Sequence, residues 1–281
     1  MTKIQSNRLL KKSIEIRKDI LEMAFYGCGT SHPGPALSCA DIVTALYFQV
    51  MCLRPDDPSW AERDRFVLSK GHAAPALYAA LAEKGYFPRE LFGGLRGPGG
   101  VLQGHPDCRK TPGVDMTSGS LGNGLALAAG MAAGLRLDKS GAEVFVLLGD
   151  GELQEGLVWE AALYGANARL NNLVAIVDYN HFQSCGPTDA ISQLEPLADK
   201  WESFGWRVWQ ADGHEMCEIA GALTQAREFT GGPAVILAST VKGKGVSFME
   251  GDNRWHQRRP DAAQFRAAMA ELDEQMKSLN S

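Results

Sequence analysis

The chain has 281 residues, 45% of them hydrophobic, with 28 Lys and Arg against 33 Asp and Glu and a formal net charge of −5. That length suits one large α/β domain or two small ones, and mild acidity without a basic block argues against a nucleic-acid surface. No signal-peptide-like apolar core opens the sequence, and its longest small-apolar stretch, Leu125 to Leu135, holds two glycines and is too short for a bilayer span. A cytoplasmic protein with no membrane partner is therefore expected. The six cysteines, Cys28, Cys39, Cys52, Cys108, Cys185 and Cys217, form no CxxC pair, which favours free thiols over disulfides or a zinc site.

In chain order, Arg8 to Gly27 carries an apolar stripe of Leu10, Ile14, Ile16, Ile20 and Met23 and predicts an amphipathic helix. A Gly/Pro loop from Gly27 to Pro35 follows, then a helix over Ser38 to Phe48. Arg54 to Arg65 is polar and loop-like. Phe66 to Leu68 is a short strand candidate, and Ala73 to Lys84 is helical. Phe92 to Pro112 is rich in Gly and Pro and must be largely irregular; loops that long in a compact domain are often functional. Strands are expected at Val144–Leu148, Leu173–Val177, Trp206–Trp209 and Ala234–Ala238, with helices over Leu157–Leu170 and Glu215–Glu228. A last helix starts at Asp261, where Asp261 and Gln264 fit a capping box. Alternating strands and helices predict an α/β fold, a parallel sheet covered by helices on both faces. It forms a single domain over residues 1–281, ending in a C-terminal helix within 258–281.

The two central strand candidates are short, β-branched and uninterrupted, as strands buried on both faces are. The first leads into Gly149-Asp150-Gly151-Glu152, the second into Asp178-Tyr179-Asn180. In a βαβ unit both strands point the same way, so Asp150 and Asn180 emerge at one sheet edge. Two hard oxygen donors plus a backbone carbonyl make a partial shell for Mg²⁺, which takes few protein oxygens and completes its octahedron with phosphate and water. Asp-Gly is also a common turn signal, so Asp150 alone could be a turn residue. Five histidines, His32, His72, His105, His181 and His256, sit in or beside turn-forming loops. Thr117-Ser118-Gly119-Ser120-Leu121-Gly122-Asn123-Gly124 is a glycine-rich loop running into a small-residue helix. Such a loop suits either phosphate contact through backbone N–H groups and a helix N-terminus or tight helix packing.

The GDG segment with an Asn about thirty residues on resembles the thiamine-diphosphate fingerprint. Ser31-His32-Pro33-Gly34, Lys70-Gly71-His72-Ala73 and Gly104-His105-Pro106 are similar to the three histidine motifs of the transketolase cofactor domain. The resemblance covers nearly the whole chain and implies the diphosphate-domain fold of that family, with thiamine diphosphate and Mg²⁺ (or Ca²⁺ or Mn²⁺) as cofactors. Such chemistry calls for proton shuttling near neutral pH, which imidazoles supply. The resemblance implies that His32, His72 and His105 face the thiazolium and the sugar, His72 also touching cofactor. Trp255-His256 resembles a fourth motif, with His256 nearer the diphosphate and substrate, although Gln257-Arg258-Arg259 stands where a small residue is expected. It implies Asp150, Asn180 and the Phe182 carbonyl as metal ligands, with Gly151 and Asn180 against the diphosphate. Gly119 and Leu121 would meet the aminopyrimidine and thiazolium. Glu155 would lie between two cofactor sites across a subunit interface, or act only as a first-turn carboxylate. Lys244 would approach the diphosphate or substrate, or be a solvated loop lysine. His181 receives no role and His214 is read as structural.

No region resembles the family's pyrimidine-binding domain, so the expectation is the N-terminal subunit of a split transketolase. It would be inactive until a C-terminal subunit completes each site in an α₂β₂ assembly. The implied activity moves a two-carbon ketol unit from a ketose to an aldose, on sugar phosphates or on a specialised branched or sulfonated sugar. Arg96, Arg109, Arg258 and Arg259 are candidate anion contacts. The alternatives are an α-like subunit of a 2-oxo-acid dehydrogenase or decarboxylase, which shares GDG and Asn, and a non-catalytic degenerate paralogue. The three histidine motifs favour transketolase over the former, and the intact Asp150 and Asn180 oppose the latter.

Overall fold

A computed structural model describes residues 1–280. Helix α1 (Lys3–Tyr26) starts earlier than its apolar stripe indicates, because Thr2 and Gln5 form a reciprocal capping box. The next helix also starts early, at Pro33, a residue suited to a first helical turn. It breaks at Cys39 into α2 (Pro33–Ser38) and α3 (Ala40–Ala45) before a π-turn at Leu46–Val50. Strand β1 (Arg65–Leu68) leads through a 3₁₀ turn at Gly71–Ala73 into α4 (Ala74–Lys84). A long connection with one further 3₁₀ turn, Arg89–Gly94, reaches α5 (Asn123–Leu137). Then come β2 (Val144–Gly149), α6 (Gly156–Asn167) and β3 (Leu173–Tyr179). A two-residue hairpin of β4 (Phe182–Gln183) and β5 (Gly186–Pro187), too short to leave a periodicity, precedes the short helices α7 (Thr188–Ile191) and α8 (Leu197–Ser203). The chain closes through β6 (Arg207–Asp212), α9 (Met216–Glu228), β7 (Ala234–Ser239) and α10 (Ala262–Ser278). Asp261 caps α10 with Gln264 in the expected box.

The main sheet is fully parallel, in the order β1-β2-β3-β7-β6. Alternation along each strand splits the core in two. Phe145 and Leu147 of β2 join Val174, Ile176 and Ile236 on the face covered by α1 to α4 and α9. Val144, Val146 and Leu148 join Ala175, Val177 and Val235 on the face covered by α5, α6 and α8. Both faces are dry, so the central strands carry no polar residue until their last positions, and there the chemistry begins. The register pairs Leu68 with Leu147, Gly149 with Asp178, and Tyr179 with Ser239. The four loops after β1, β2, β3 and β7 therefore leave the sheet side by side, at the carboxyl edge where open α/β sheets bind ligands. No helix among the described residues is long and apolar enough to cross a membrane.

Candidate functional site

At this edge lies a cavity of about 360 Å³. The β1 loop contributes Lys70 and His72, the β2 loop Asp150 to Glu152, the β3 loop Asn180, Phe182 and Gln183, and the β7 loop Lys242. His32 enters from the turn before α2, His105 and Gly119 from the long irregular connection, and His256 from the segment before α10.

The four imidazoles form one cluster. His32 lies 5.3 Å from His72, 6.4 Å from His105 and 5.5 Å from His256 between ring centroids, and His72 lies 5.3 Å from His256. Burial, helped by Arg96, lowers His32 to about 4. Burial, helped by Lys242, lowers His256 to about 3. Burial and Lys70 hold His72 well below the ordinary histidine range, and burial and Arg96 lower His105. Desolvation disfavours the charged form of each ring, so all four are neutral at pH 7, and a neutral ring can both donate and accept. His256 Nδ1 and Gln183 Oε1 are buried with no protein partner while their residues line the cavity. Such orphaned atoms are rare in folded proteins and mark places that a ligand completes.

Opposite the imidazoles is a polar floor. Lys70 and Asp178 form a fully buried ion pair. Burial alone would neutralise both, but each holds the other charged, and Asp178 also accepts from Ser38 and Thr240. Asn180 Nδ2 donates to Ser38 Oγ at 3.1 Å and to Asp178 at 3.3 Å, which fixes its amide so that Oδ1 takes the Phe182 N–H. Asp150 accepts from the backbone N–H groups of Gly151 and His181. Burial, then the nearby Asp178, raises its carboxyl to about 7. A carboxylate so placed gains from a cation beside it. Asp150, the Asn180 carboxamide and a backbone carbonyl are the hard oxygens that suit Mg²⁺. Among the described residues no cluster of three or more His, Cys, Asp or Glu could hold a metal by itself, so ligand oxygens would have to complete any shell here.

The glycine-rich loop closes a third side. Gly119 has φ +146°, and a Cβ there would meet the His105 ring at 3.1 Å; Gly122 has φ +85°, and its Cβ would meet Glu155 Cβ at 2.6 Å. The chain turns this tightly only because both positions lack a side chain. Glu152, buried, binds the loop to the rest. Its Oε1 accepts from Ser69 Oγ and the Gly122 N–H, its Oε2 from the Gly149 N–H. One carboxylate thus ties the β1 loop, the β2 loop and the start of α5.

Of the residues singled out in the sequence, His32, His72, His105, His256, Gly119, Leu121, Asp150, Gly151, Glu155, Asn180 and Phe182 all line this cavity. Lys244 does not: its Nζ lies 3.6 Å from Glu250 on the far side of its loop. The lysine of that loop that reaches the cavity is Lys242, buried, with Nζ 2.6 Å from Asn253 Oδ1. Burial, then Lys70, lowers it to about 8. Lys70, Glu152 and Gln183 also belong to the site; Lys70 and Glu152 lie inside the quoted motifs without a role assigned there, and Gln183 carried no signal. His181 has φ +64° and packs at a tilt against Tyr179, outside the cavity lining, and His214 is bonded into the scaffold. Arg96 bonds the Thr30 carbonyl beside His32 and His105. Arg109 projects into solvent, while Arg258 and Arg259 lie over Trp255 and Phe25.

Solved transketolases share this architecture. The Pichia stipitis enzyme crystallised with fructose 6-phosphate superposes with a TM-score of 0.83 at 26% identity, over 98% of this chain and 44% of that one. The Campylobacter jejuni enzyme gives 0.82 at 28% identity, over 100% of this chain and 48% of that one. This chain therefore spans less than half the length of these solved transketolases. Residues 16–273 match the family described as transketolase, thiamine diphosphate binding domain. The chain belongs to that family of transferases, as its thiamine-diphosphate-binding domain. Among relatives of similar length, the 6-deoxy-6-sulfo-D-fructose transketolase subunit SqwG of Clostridium sp. (strain MSTE9) is 48% identical over 88% of this chain and 90% of its own. An apulose-4-phosphate transketolase subunit of Phocaeicola vulgatus is 40% identical over 98% of both chains.

Proposed function

We propose that this chain is the cofactor-diphosphate subunit of a split, cytoplasmic transketolase that moves a two-carbon ketol unit from an anionic ketose to an aldose. The observation that carries the reading is convergence: four neutral imidazoles, Asp150, Asn180 and Lys242 arrive from separate loops around one cavity. In this reading Asp150, Asn180 and the Phe182 carbonyl hold Mg²⁺ (or Ca²⁺ or Mn²⁺), and Gly151 and Lys242 grip the diphosphate. Gly119 and Leu121 lie against the cofactor rings. Thiamine diphosphate supplies the electron sink that lets a carbon–carbon bond beside a carbonyl break and form. The chain's own residues bind, orient and move protons. His32, His72, His105 and His256, neutral at pH 7, donate to and accept from the substrate hydroxyls and carbonyl, and buried walls exclude water.

A C-terminal subunit with the pyrimidine-binding domain completes the site, in an α₂β₂ assembly. Two observations support this. The matching-length relatives are named as subunits. Leu121 lines the cavity yet is exposed, and α6 carries three further exposed apolar side chains, Leu157, Leu163 and Tyr164, the kind of surface that docking covers. The names of those relatives also support a sugar phosphate or sugar sulfonate as donor.

Titrating thiamine diphosphate into the chain in complex with its partner subunit, with and without Mg²⁺, tests the cradle. Saturable binding that needs the metal, and is lost in Asp150→Asn and Asn180→Ala, is expected. Binding that ignores both the metal and these substitutions would contradict the assignment.

A further inference from the structure

Lys242 enters the cavity on a loop without regular structure, and the reason it does so lies outside the cavity. On the protein side of that loop, Arg17 of α1 is buried and makes a bidentate pair with Asp41 of α3, at 2.9 and 2.6 Å. Asp41 Oδ2 also meets His214 Nδ1 at 2.8 Å. The other ring nitrogen, His214 Nε2, accepts the Val241 N–H at 2.8 Å, and Arg17 Nε donates to the Lys244 carbonyl at 3.0 Å. The backbone just before and two residues after Lys242 is therefore tied to one buried ion pair. A backbone N–H can only donate, so Nε2 must be bare and the ring proton must sit on Nδ1, facing Asp41. The carboxylate selects the tautomer, and the tautomer holds the loop.

The same loop has almost no freedom elsewhere. Gly243 takes φ +84°, where a Cβ would strike the Met249 carbonyl at 2.3 Å. Gly245 takes φ +96°, where it would meet Arg17 Cδ at 2.7 Å. The Gly243 N–H donates to Gly34 O, and Gly251 N–H to Lys242 O. None of the tethering side chains touches the cavity that Lys242 lines.

We infer that Asp41 and His214, backed by Arg17, are positioning residues that set the Val241–Lys244 turn and thereby deliver Lys242 to an anionic cofactor. The inference rests on reading the cavity as a diphosphate cradle. A site held within a fraction of an ångström needs such support, because a lysine is a flexible point charge with four rotatable bonds.

His214 makes two side-chain hydrogen bonds, and two substitutions separate them. Asn places its amide where Nδ1 stood and keeps the Asp41 arm, while Gln places its amide where Nε2 stood and keeps the Val241 arm. Each variant loses one bond, so their melting temperatures should match. His214→Asn should speed amide hydrogen exchange across residues 240–245. It should also weaken Mg²⁺-dependent thiamine-diphosphate binding about tenfold, the order expected for one buried hydrogen bond. His214→Gln should keep the slow exchange and stay within about twofold in affinity. Equal exchange in the two variants would overturn the tether, as would faster exchange with unchanged affinity. Affinities are read on the chain in complex with its partner subunit: a wild-type complex that binds no thiamine diphosphate would sink the cradle reading instead, and the exchange comparison would still decide the tether.

Discussion

The four cavity imidazoles share one electrostatic condition, and it has a sign. Burial lowers His32 to about 4 and His256 to about 3, whereas in the unfolded chain they titrate near 6.5. Above pH 7 both states are neutral and these groups leave stability unchanged. As pH falls below about 6.5 the unfolded chain binds protons that the folded chain refuses, so the fold weakens progressively toward pH 4. The melting temperature of the wild type should therefore drop more between pH 7 and pH 5 than that of a His32→Gln, His256→Gln double variant. Parallel curves would show that the two rings are not held neutral. Asp150 carries the opposite sign. Burial raises it to about 7, so whatever stability it contributes protonated is lost as pH rises through that value. Asp150→Asn should thus abolish metal-dependent binding while raising the apo melting temperature at pH 8 by a few degrees. Loss of both binding and stability would make Asp150 a structural residue.

At the scale of elements, the site is a set of loops whose ends are fixed by a parallel sheet and whose middles are fixed by buried polar ties. Glu152 is the clearest tie, since all three of its partners are donors. In Glu152→Gln the amide NH₂ would face a donor, leaving a buried N–H unsatisfied at a cost of about 2 kcal/mol. Chemical denaturation of that variant should show a loss of this size. A change below about 0.5 kcal/mol, within the range of ordinary surface substitutions, would mean that the loops are held by something else. The same distinction explains what the sequence disclosed. The strands were legible because burial on both faces makes them continuous apolar runs, and Asp150 and Asn180 were legible because they follow such runs directly. The histidines were legible through their Gly/Pro surroundings. Lys242 was not: Lys242-Gly243-Lys244-Gly245 offers two lysines in like surroundings, and which one turns inward depends on contacts from distant segments, Arg17, Gly34 and His214 among them. Glu152 drew no role of its own in the sequence, because its partners come from segments 30 and 83 residues away. The break at Cys39 carries no Gly or Pro signal, so a single helix was the natural expectation there.

For the whole molecule, one side of the cavity remains bounded by protein chemistry that this chain places at its surface. Leu121, which lines the cavity, is 39% exposed, and Leu157, Leu163 and Tyr164 are exposed along α6. The most direct test is a ketol-transfer assay with thiamine diphosphate, Mg²⁺, a ketose phosphate or sulfonate donor and an aldose acceptor. It is run first on the purified chain and then on the chain captured with its native partner. The account predicts no transfer from the chain alone and robust transfer from the complex. Full activity from the chain by itself, or a stoichiometric complex that binds no thiamine diphosphate, would contradict it.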